Sequence, residues 1–507
     1  MEHRVITRLL IANRGEIAVR IARACRELDM ESVAVYSDAD ANSAHVAAAD
    51  RAVRIGPAPA VDSYLNVDAL LAAAHATEAD AVHPGYGFLS ENAAFAAACR
   101  DAGLIFVGPP ANVIARMGSK IEARTLAAAA GVPVVPGCTP DDQSDTGLLA
   151  AIEKVGLPAL IKASAGGGGR GMRRVYAAAN ALDAVQSARR EAAAAFRDGT
   201  LYVERLIERP HHVEVQVMAD ASGNTVHVFE RECSVQRRHQ KVIEESPSPN
   251  LTPELRRRIT DAAVRAAKAA GYCNAGTIEF LVELSGGPRD TAPFYFLEMN
   301  TRLQVEHPIT EHIAGVDLVH AQLQIASGGP VPWAQATLTQ RGHAIEARIY
   351  AEDPSQGFIP QAGLLLLYRE PTMPGIRIDS GFREGDRVSV HYDALLAKVI
   401  ATAETRDTAI ARLVQALRHF PILGIRTNVP FLIRILESDA FRRGAVHTGF
   451  LDGEGAALAN AAEDAPPEFL RAVIDLADQQ QTTRNSGSAP TAAASDPWNG
   501  LAGWSVR

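Results

Sequence analysis

The run FLEMNTRLQVEH, residues 296–307, sets the tightest limit on what this chain can fold into. An apolar stretch runs straight into Glu298, and Asn300, Arg302, Gln304 and Glu306 follow at every second position. In an extended strand alternate side chains share one face. A face so rich in charge cannot simply enter an apolar core, because an unpaired buried charge is costly. Upstream, GTIEFLVEL carries Glu279 between Ile278 and Phe280, so Glu279 faces away from both. The turn-rich SGGPRDTA between the two runs predicts an antiparallel hairpin with a long loop. If the polar faces coincide, Glu279, Glu298 and Asn300 converge. Like charges on neighbouring strands repel. A hard divalent cation with oxygen ligands, such as Mg²⁺, resolves that conflict. Two solvent-facing acids on an exposed sheet is the competing reading.

The surrounding chain is long enough, at 507 residues, for several domains. Its net charge of −9 argues against a general nucleic-acid binder. No apolar run approaches the roughly 18 residues that span a bilayer. The first residues, MEHRVITRLLIANRGE, read as a buried strand and not a signal peptide. Cys25, Cys99, Cys138, Cys233 and Cys273 are scattered without a C-x-x-C pair, which predicts reduced thiols in a cytoplasmic protein. Strand and helix patterns alternate at the N-terminus (ITRLLIA, GEIAVRIARACRELD, SVAVYS), the order of a parallel sheet with helical crossovers. Its first turn is N-R-G-E and not G-x-G-x-x-G, so no dinucleotide cofactor is indicated. After about residue 340 short strands (HAIEARIYAED, GIRIDSGF) surround one helix (RDTAIARLVQALRHF). Beyond about 455 the pattern fades into the low-complexity QQQTTRNSGSAPTAAASDPWNG, which reads as a disordered linker or tail.

Two further motifs carry charge. LIKASAGGGGRGMRRV ends an apolar strand at Lys162 and follows it with Gly166 to Gly169. Such a loop brings backbone N–H groups close to phosphate oxygens, with Lys162 and Lys120 as nearby cations. No G-K-[ST] follows, so this is not a Walker A loop, and a plain surface hairpin tip stays open as an alternative. ERECSVQRRHQKVIEESPSP packs Arg237, Arg238, His239 and Lys241 into a short span, which alone would be a solvated basic loop.

Together these segments resemble the biotin carboxylase domain of biotin-dependent carboxylases, through ANRGEIAVRI, HPGYGFLSEN, KASAGGGGRGMR, ECSVQRRHQK, GTIEF and EMNTRLQVEHPITE. The resemblance spans about residues 4–450. It implies an α/β and α+β multi-domain fold: a nucleotide-fold-like N-terminal domain (1–115), a central ATP-grasp domain (116–335) with a lid subdomain near 134–203, a β-rich C-terminal domain (336–452) and a partly disordered tail (453–507). It implies a ligase that uses ATP and bicarbonate to carboxylate biotin through carboxyphosphate. ATP would meet Lys120, Lys162, Gly168, Gly169, Glu204, Arg205, Ile207, His212, Gln236, His239 and Leu281. The family pattern has Lys where Arg205 stands, in a segment whose contact is through the backbone. Mg²⁺ or Mn²⁺ would sit on Glu279, Glu298 and Asn300, and bicarbonate on Lys241, Arg302, Gln304 and Val305. Glu306 would be the general base and Arg348 would face the biotin ureido oxygen, with Arg302 and Lys241 sharing the catalytic work. Burial would raise the pKa of Glu306 while Arg302 and Lys241 would lower it, and the sequence leaves the sign open. The Gly-rich loop is expected to act as a mobile lid.

The resemblance also implies partners. A biotin carrier domain or protein, a carboxyltransferase β subunit, and a homodimer or larger αβ assembly with contacts near Arg23 and Glu27 are expected; nucleic acid and membrane are not. No Ala-Met-Lys-Met acceptor motif is present, and SDPWNGLAGWSVR resembles the region that follows this domain in α subunits of acyl-CoA carboxylases. A carbamoyl-phosphate synthetase-like ligase and an inactive nucleotide-binding scaffold are the competing readings.

Overall fold

The computed structural model describes residues 5–164, 171–284 and 287–460. The first layer is the parallel sheet expected at the N-terminus. Strands β1 (Arg8–Ile11), β2 (Glu31–Ser37), β3 (Arg51–Gly56), β4 (Ala81–His83) and β5 (Ile105–Phe106) lie in the order β3-β2-β1-β4-β5. All four pairings are parallel. Helix α1 (Gly15–Glu27) crosses from β1 to β2 because Ile17, Ile21, Ala24 and Cys25 recur on one face, and all four are buried.

Helix α2 (Lys120–Ala129) starts where the Ser119 side chain accepts the Glu122 N–H. Gly131, at φ +70°, lies just beyond its end. A small four-stranded sheet follows: β6 (Gly137–Cys138), β7 (Ala159–Ala163), β8 (Arg173–Val175) and β9 (Leu201–Arg205), in the order β6-β9-β7-β8. The run LIKA is thus a strand, with Lys162 near its end. The Gly-rich loop after it, with Gly168 and Gly169 and the expected lid, lies outside the described residues.

The third unit is one eight-stranded sheet. Strands β10 (His211–Ala219), β11 (Thr225–Arg237), β12 (Gln240–Ser246), β13 (Asn274–Val282), β14 (Phe294–Asn300), β15 (His343–Tyr350), β16 (Ile376–Ser380) and β17 (Leu395–Ala403) lie in the order β14-β13-β10-β11-β12-β15-β17-β16. Helix α3 (Pro253–Ala270) begins with the Thr252 side chain accepting the Leu255 N–H and ends at Gly271. Its Leu255, Ile259 and Ala263 pack on Val213, Val215, Ile278 and Phe280. That packing consumes the apolar face of β10 and β13, so Glu214 and Glu279 are left on the other face. Helix α4 (His307–Ala314) follows β14 after a turn, and α5 (Arg406–Arg418) packs Ile410, Leu413 and Leu417 against the β15–β17 end. Among the described residues no helix is long and apolar enough to cross a membrane.

Candidate active site

The hairpin pairs as the alternation required. Glu279 faces Glu298 and Thr277 faces Asn300, with a register shift just after Glu279. On the other flank β10 sets Glu214 opposite Glu279, and β11 sets Arg231 opposite Glu214. Directly opposed residues in antiparallel strands project to one side, so three carboxylates and a guanidinium line up across four strands. Glu214 and Arg231 are fully buried and Glu279 nearly so. A stack of buried like charges holds only where cations answer it.

Lys241 supplies the answer. Its ammonium donates to Glu214, to Glu279 Oε1 at 3.0 Å and to Glu306 Oε1 at 2.7 Å. Arg348 donates to Glu306 Oε2 at 2.7 Å and pairs with Glu244. Arg231 pairs with Glu214 and donates to Gln216, Thr310 and Thr277. Burial alone would raise the Glu306 carboxyl, but Lys241, Arg348 and Arg231 outweigh it and hold it well below the usual carboxylate range. The sign the sequence left open is therefore downward. Glu214 goes the other way: burial raises it, and the nearby Glu306 and Glu279 push in the same direction. Neighbouring carboxyls driven apart in this way are what an acid–base site requires.

The extended run does not persist to Glu306. Strand β14 ends at Asn300, and residues 301–306 form an irregular turn. Continued extension would carry Glu306 about 20 Å past Asn300, away from Lys241. The turn is held instead by side chains. Glu91 accepts the Thr301 N–H at 3.1 Å and Arg302 Nε at 3.0 Å. The Gln304 carbonyl lies 2.8 Å from His307 Nδ1, and Lys398 donates to the Val305 carbonyl at 2.8 Å. Glu306 becomes the residue before α4, whose early Pro308 suits a helix start. Arg302 reaches back to Gln304 Oε1 at 2.7 Å and Asn300 Oδ1 at 3.1 Å, and Asn300 Nδ2 donates to Glu279 Oε1 at 2.9 Å.

A cavity of about 480 Å³ opens between the small sheet and the eight-stranded one. Lys120, Lys162, Glu204, Arg205, Ile207, His212, Gln236, His239 and Leu281 line it, together with Glu279 and Glu298. Every described residue expected to meet a nucleotide is thus at one cavity. Lys162 pairs with Glu204, which also pairs with Arg124. Burial would lower the Lys162 pKa, but Glu204 outweighs it and the ammonium is held charged. Lys120 shifts downward, because burial exceeds the pull of Glu298 and Lys162 adds repulsion. His212 Nε2 lies 2.9 Å from Glu279 Oε2. Arg205 is drawn outward to Glu283 and Tyr295, each at 2.9 Å, so its side chain serves the rim. Glu298 is raised by burial and by Glu279 facing it. A buried carboxylate at Glu279, a half-buried one at Glu298 and the Asn300 amide form an oxygen-rich set that fits a hard divalent cation.

Sequence reasoning missed several neighbours. Glu214 and Arg231 bind the acid cluster together, Lys398 grips the turn that leads into it, and His447, Thr448 and Asp452 close one wall of the cavity. A signal for Glu214 existed: HHVEVQVM alternates like GTIEFLVEL, with its acid at the matching position.

Three family models match the chain in succession. Residues 5–114 match the family model "Biotin carboxylase, N-terminal domain" and 346–453 match "Biotin carboxylase C-terminal domain". Residues 119–333 match "Carbamoyl-phosphate synthase L chain, ATP binding domain". The mitochondrial methylcrotonoyl-CoA carboxylase subunit alpha of Rattus norvegicus is 51% identical over 447 residues, which is 88% of this chain and 62% of that protein. Biotin carboxylase 2 of Bacillus subtilis is 48% identical over 447 residues, covering 88% of this chain and 99% of that protein. Among solved structures, the biotin carboxylase domain dimer of Hydrogenobacter thermophilus 2-oxoglutarate carboxylase, in complex with MgADP, ADP and bicarbonate, superposes with a TM-score of 0.86 at 41% identity. It covers 91% of this chain and 100% of that one.

Proposed function

Since the chain belongs to the biotin carboxylase family, we propose that it carboxylates biotin at the expense of ATP and bicarbonate. The observation that carries this reading is Glu306: fully buried, held ionised by Lys241 and Arg348, and joined to the nucleotide cavity through Glu279. Bicarbonate would lie against Lys241, Arg302, Gln304 and Val305. Glu306 would take its proton as a bicarbonate oxygen attacks the γ-phosphorus of ATP, giving carboxyphosphate and ADP. Lys120 and Lys162 would neutralise phosphate charge, and positioning with charge neutralisation is most of phosphoryl-transfer catalysis. Glu279, Glu298 and Asn300 would hold Mg²⁺ or Mn²⁺, which when bound supplies further neutralisation at the phosphates. Biotin N1′ would then give up its proton to the departing phosphate and receive the carboxyl group, with Arg348 stabilising charge on the ureido oxygen.

The alternative of a carbamoyl-phosphate synthetase-like ligase rests on the central match alone, and the flanking matches weigh against it. The chain spans 62% of the length of the rat relative. Service to an acyl-CoA carboxylase, with a biotin carrier and a carboxyltransferase β subunit as partners, is therefore part of the proposal. A methylcrotonoyl-CoA carboxylase subunit alpha of Dictyostelium discoideum that aligns over 99% of this chain supports it. The scattered cysteines favour a reducing compartment, and we place the protein in the cytoplasm.

The direct test is mass detection of carboxybiotin formed from free biotin, ATP and bicarbonate. Glu306→Gln should keep nucleotide affinity while lowering turnover by roughly 10²-fold or more. Intact bicarbonate-dependent ATP hydrolysis in that variant would refute the base assignment.

A further inference from the structure

Lys398 is one of the largest fully buried side chains, and it belongs to neither cluster described above. It sits on β17, with Arg348 opposite it on β15 and Asp379 opposite it on β16. Its ammonium has three oxygen neighbours from three parts of the chain. They are the Val305 carbonyl at 2.8 Å, Glu16 Oε1 at 3.1 Å and Asp379 Oδ2 at 3.7 Å. Glu16 is the second residue of α1, and it also accepts the hydroxyl of Tyr86, from the HPGYGFLSEN segment. Burial would strip the charge from Lys398, but Glu16, Glu346 and Asp379 more than restore it. A cation at this depth is stable only because each donor is answered.

The surroundings are rigid. Asp379 is gripped by Arg377, which reaches Glu311 of α4 at 2.7 Å; Glu311 in turn meets Arg20 of α1 at 3.0 Å. At Gly381 the backbone of α1's first turn lies so close that an added Cβ would meet Glu16 N at 2.7 Å. The three parts are therefore locked around the ammonium. Among the described residues its one backbone acceptor is the carbonyl directly before Glu306.

We propose that Lys398 is a positioning residue for the 301–306 turn: by holding the Val305 carbonyl it sets where Gln304, Val305 and Glu306 stand, and it ties that setting to Glu16 at the start of α1. The proposal rests on the bicarbonate-site reading above. An irregular turn has no strand ladder to define it, so its geometry depends on the few groups that grip its carbonyls. A displacement on the order of 1 Å at a reacting group can cost about 10²-fold in rate.

The experiment uses the full chain with Lys398→Met. Amide hydrogen exchange at 301–307 should accelerate by about tenfold or more while β13 stays protected. In steady state the bicarbonate KM should rise about tenfold, with turnover falling and the ATP KM within about twofold of wild type. A general loss of structure would raise both KM values together, and that result overturns the proposal. So does a folded variant with unchanged exchange and unchanged bicarbonate KM. If Lys398→Met does not fold, the double variant Lys398→Met with Glu16→Gln removes the facing charge as well, and the same readouts decide. Should wild type show no bicarbonate-dependent turnover, the proposed function fails, whereas exchange at 301–307 still tests the positioning role.

Discussion

The cavity and the acid cluster share Glu279, yet Lys120 in the one and Lys241 in the other carry their charge in opposite ways. Around Lys241 three carboxylates converge on one ammonium, and each has a second cation or donor behind it. Around Lys120 burial prevails, and the charged form is disfavoured. The first region is satisfied by the protein itself. In the second, Glu204 answers Lys162, while Lys120 has no ion pair among the described residues, which suits a site for phosphates. Buried charge is thus structural in one place and held in reserve a few residues away.

One substitution made in both regions puts this contrast at risk. Lys241→Met should strand Glu214, Glu279 and Glu306, costing about 3–5 kcal/mol of stability and abolishing measurable turnover. Thermal or urea denaturation measures the first and the carboxybiotin assay the second. Lys120→Met should leave stability within about 0.5 kcal/mol of wild type but weaken ATP binding by about 10- to 100-fold, the worth of a charge-assisted hydrogen bond. Calorimetric titration with ATP measures it. Equal stability losses in the two variants would show that the contrast does not exist.

A third, smaller effect sharpens the picture within the cluster. Burial, only partly offset by Arg348, pushes the Glu244 carboxyl up to about 7. Its folded pKa lies above the unfolded value of 4.5, so the stability it contributes is fully present below that value. It is lost as pH rises through about 7. Glu244→Gln lacks that slope, and its denaturation midpoint should gain on wild type between about pH 5 and about pH 8. A constant difference across that range would mean Glu244 is ionised throughout.

How much of this was legible depended on regularity. The hairpin, α1 and α5 followed from period, because each buries one stripe or face. The two-residue period put Glu298 and Asn300 on one face, and the register of the hairpin brought Glu279 to it. The turn at 301–306 did not, because Glu91 and Lys398 hold it from 210 and 93 residues away in sequence. Arg231 was hidden for a related reason: its role exists only once β10 and β11 are in register. The roles given to the cavity residues came from resemblance, and local pattern would not have assigned them.

The pairing of β12 with β15 makes one sheet out of strands from both sides of residue 336. Four consecutive residue pairs, Ile243 to Ser246 against Ala347 to Ala344, stitch that seam. A hinge cannot operate across a hydrogen-bonded ladder, so the ATP-grasp and C-terminal units must move as one solid body. Nor can the C-terminal unit be exchanged for a relative's as a self-contained module. Cutting there would bare two strand edges and part Arg348 from Glu306 in one stroke. Among the described residues the sheet of β6 to β9 shares no ladder with the eight-stranded one.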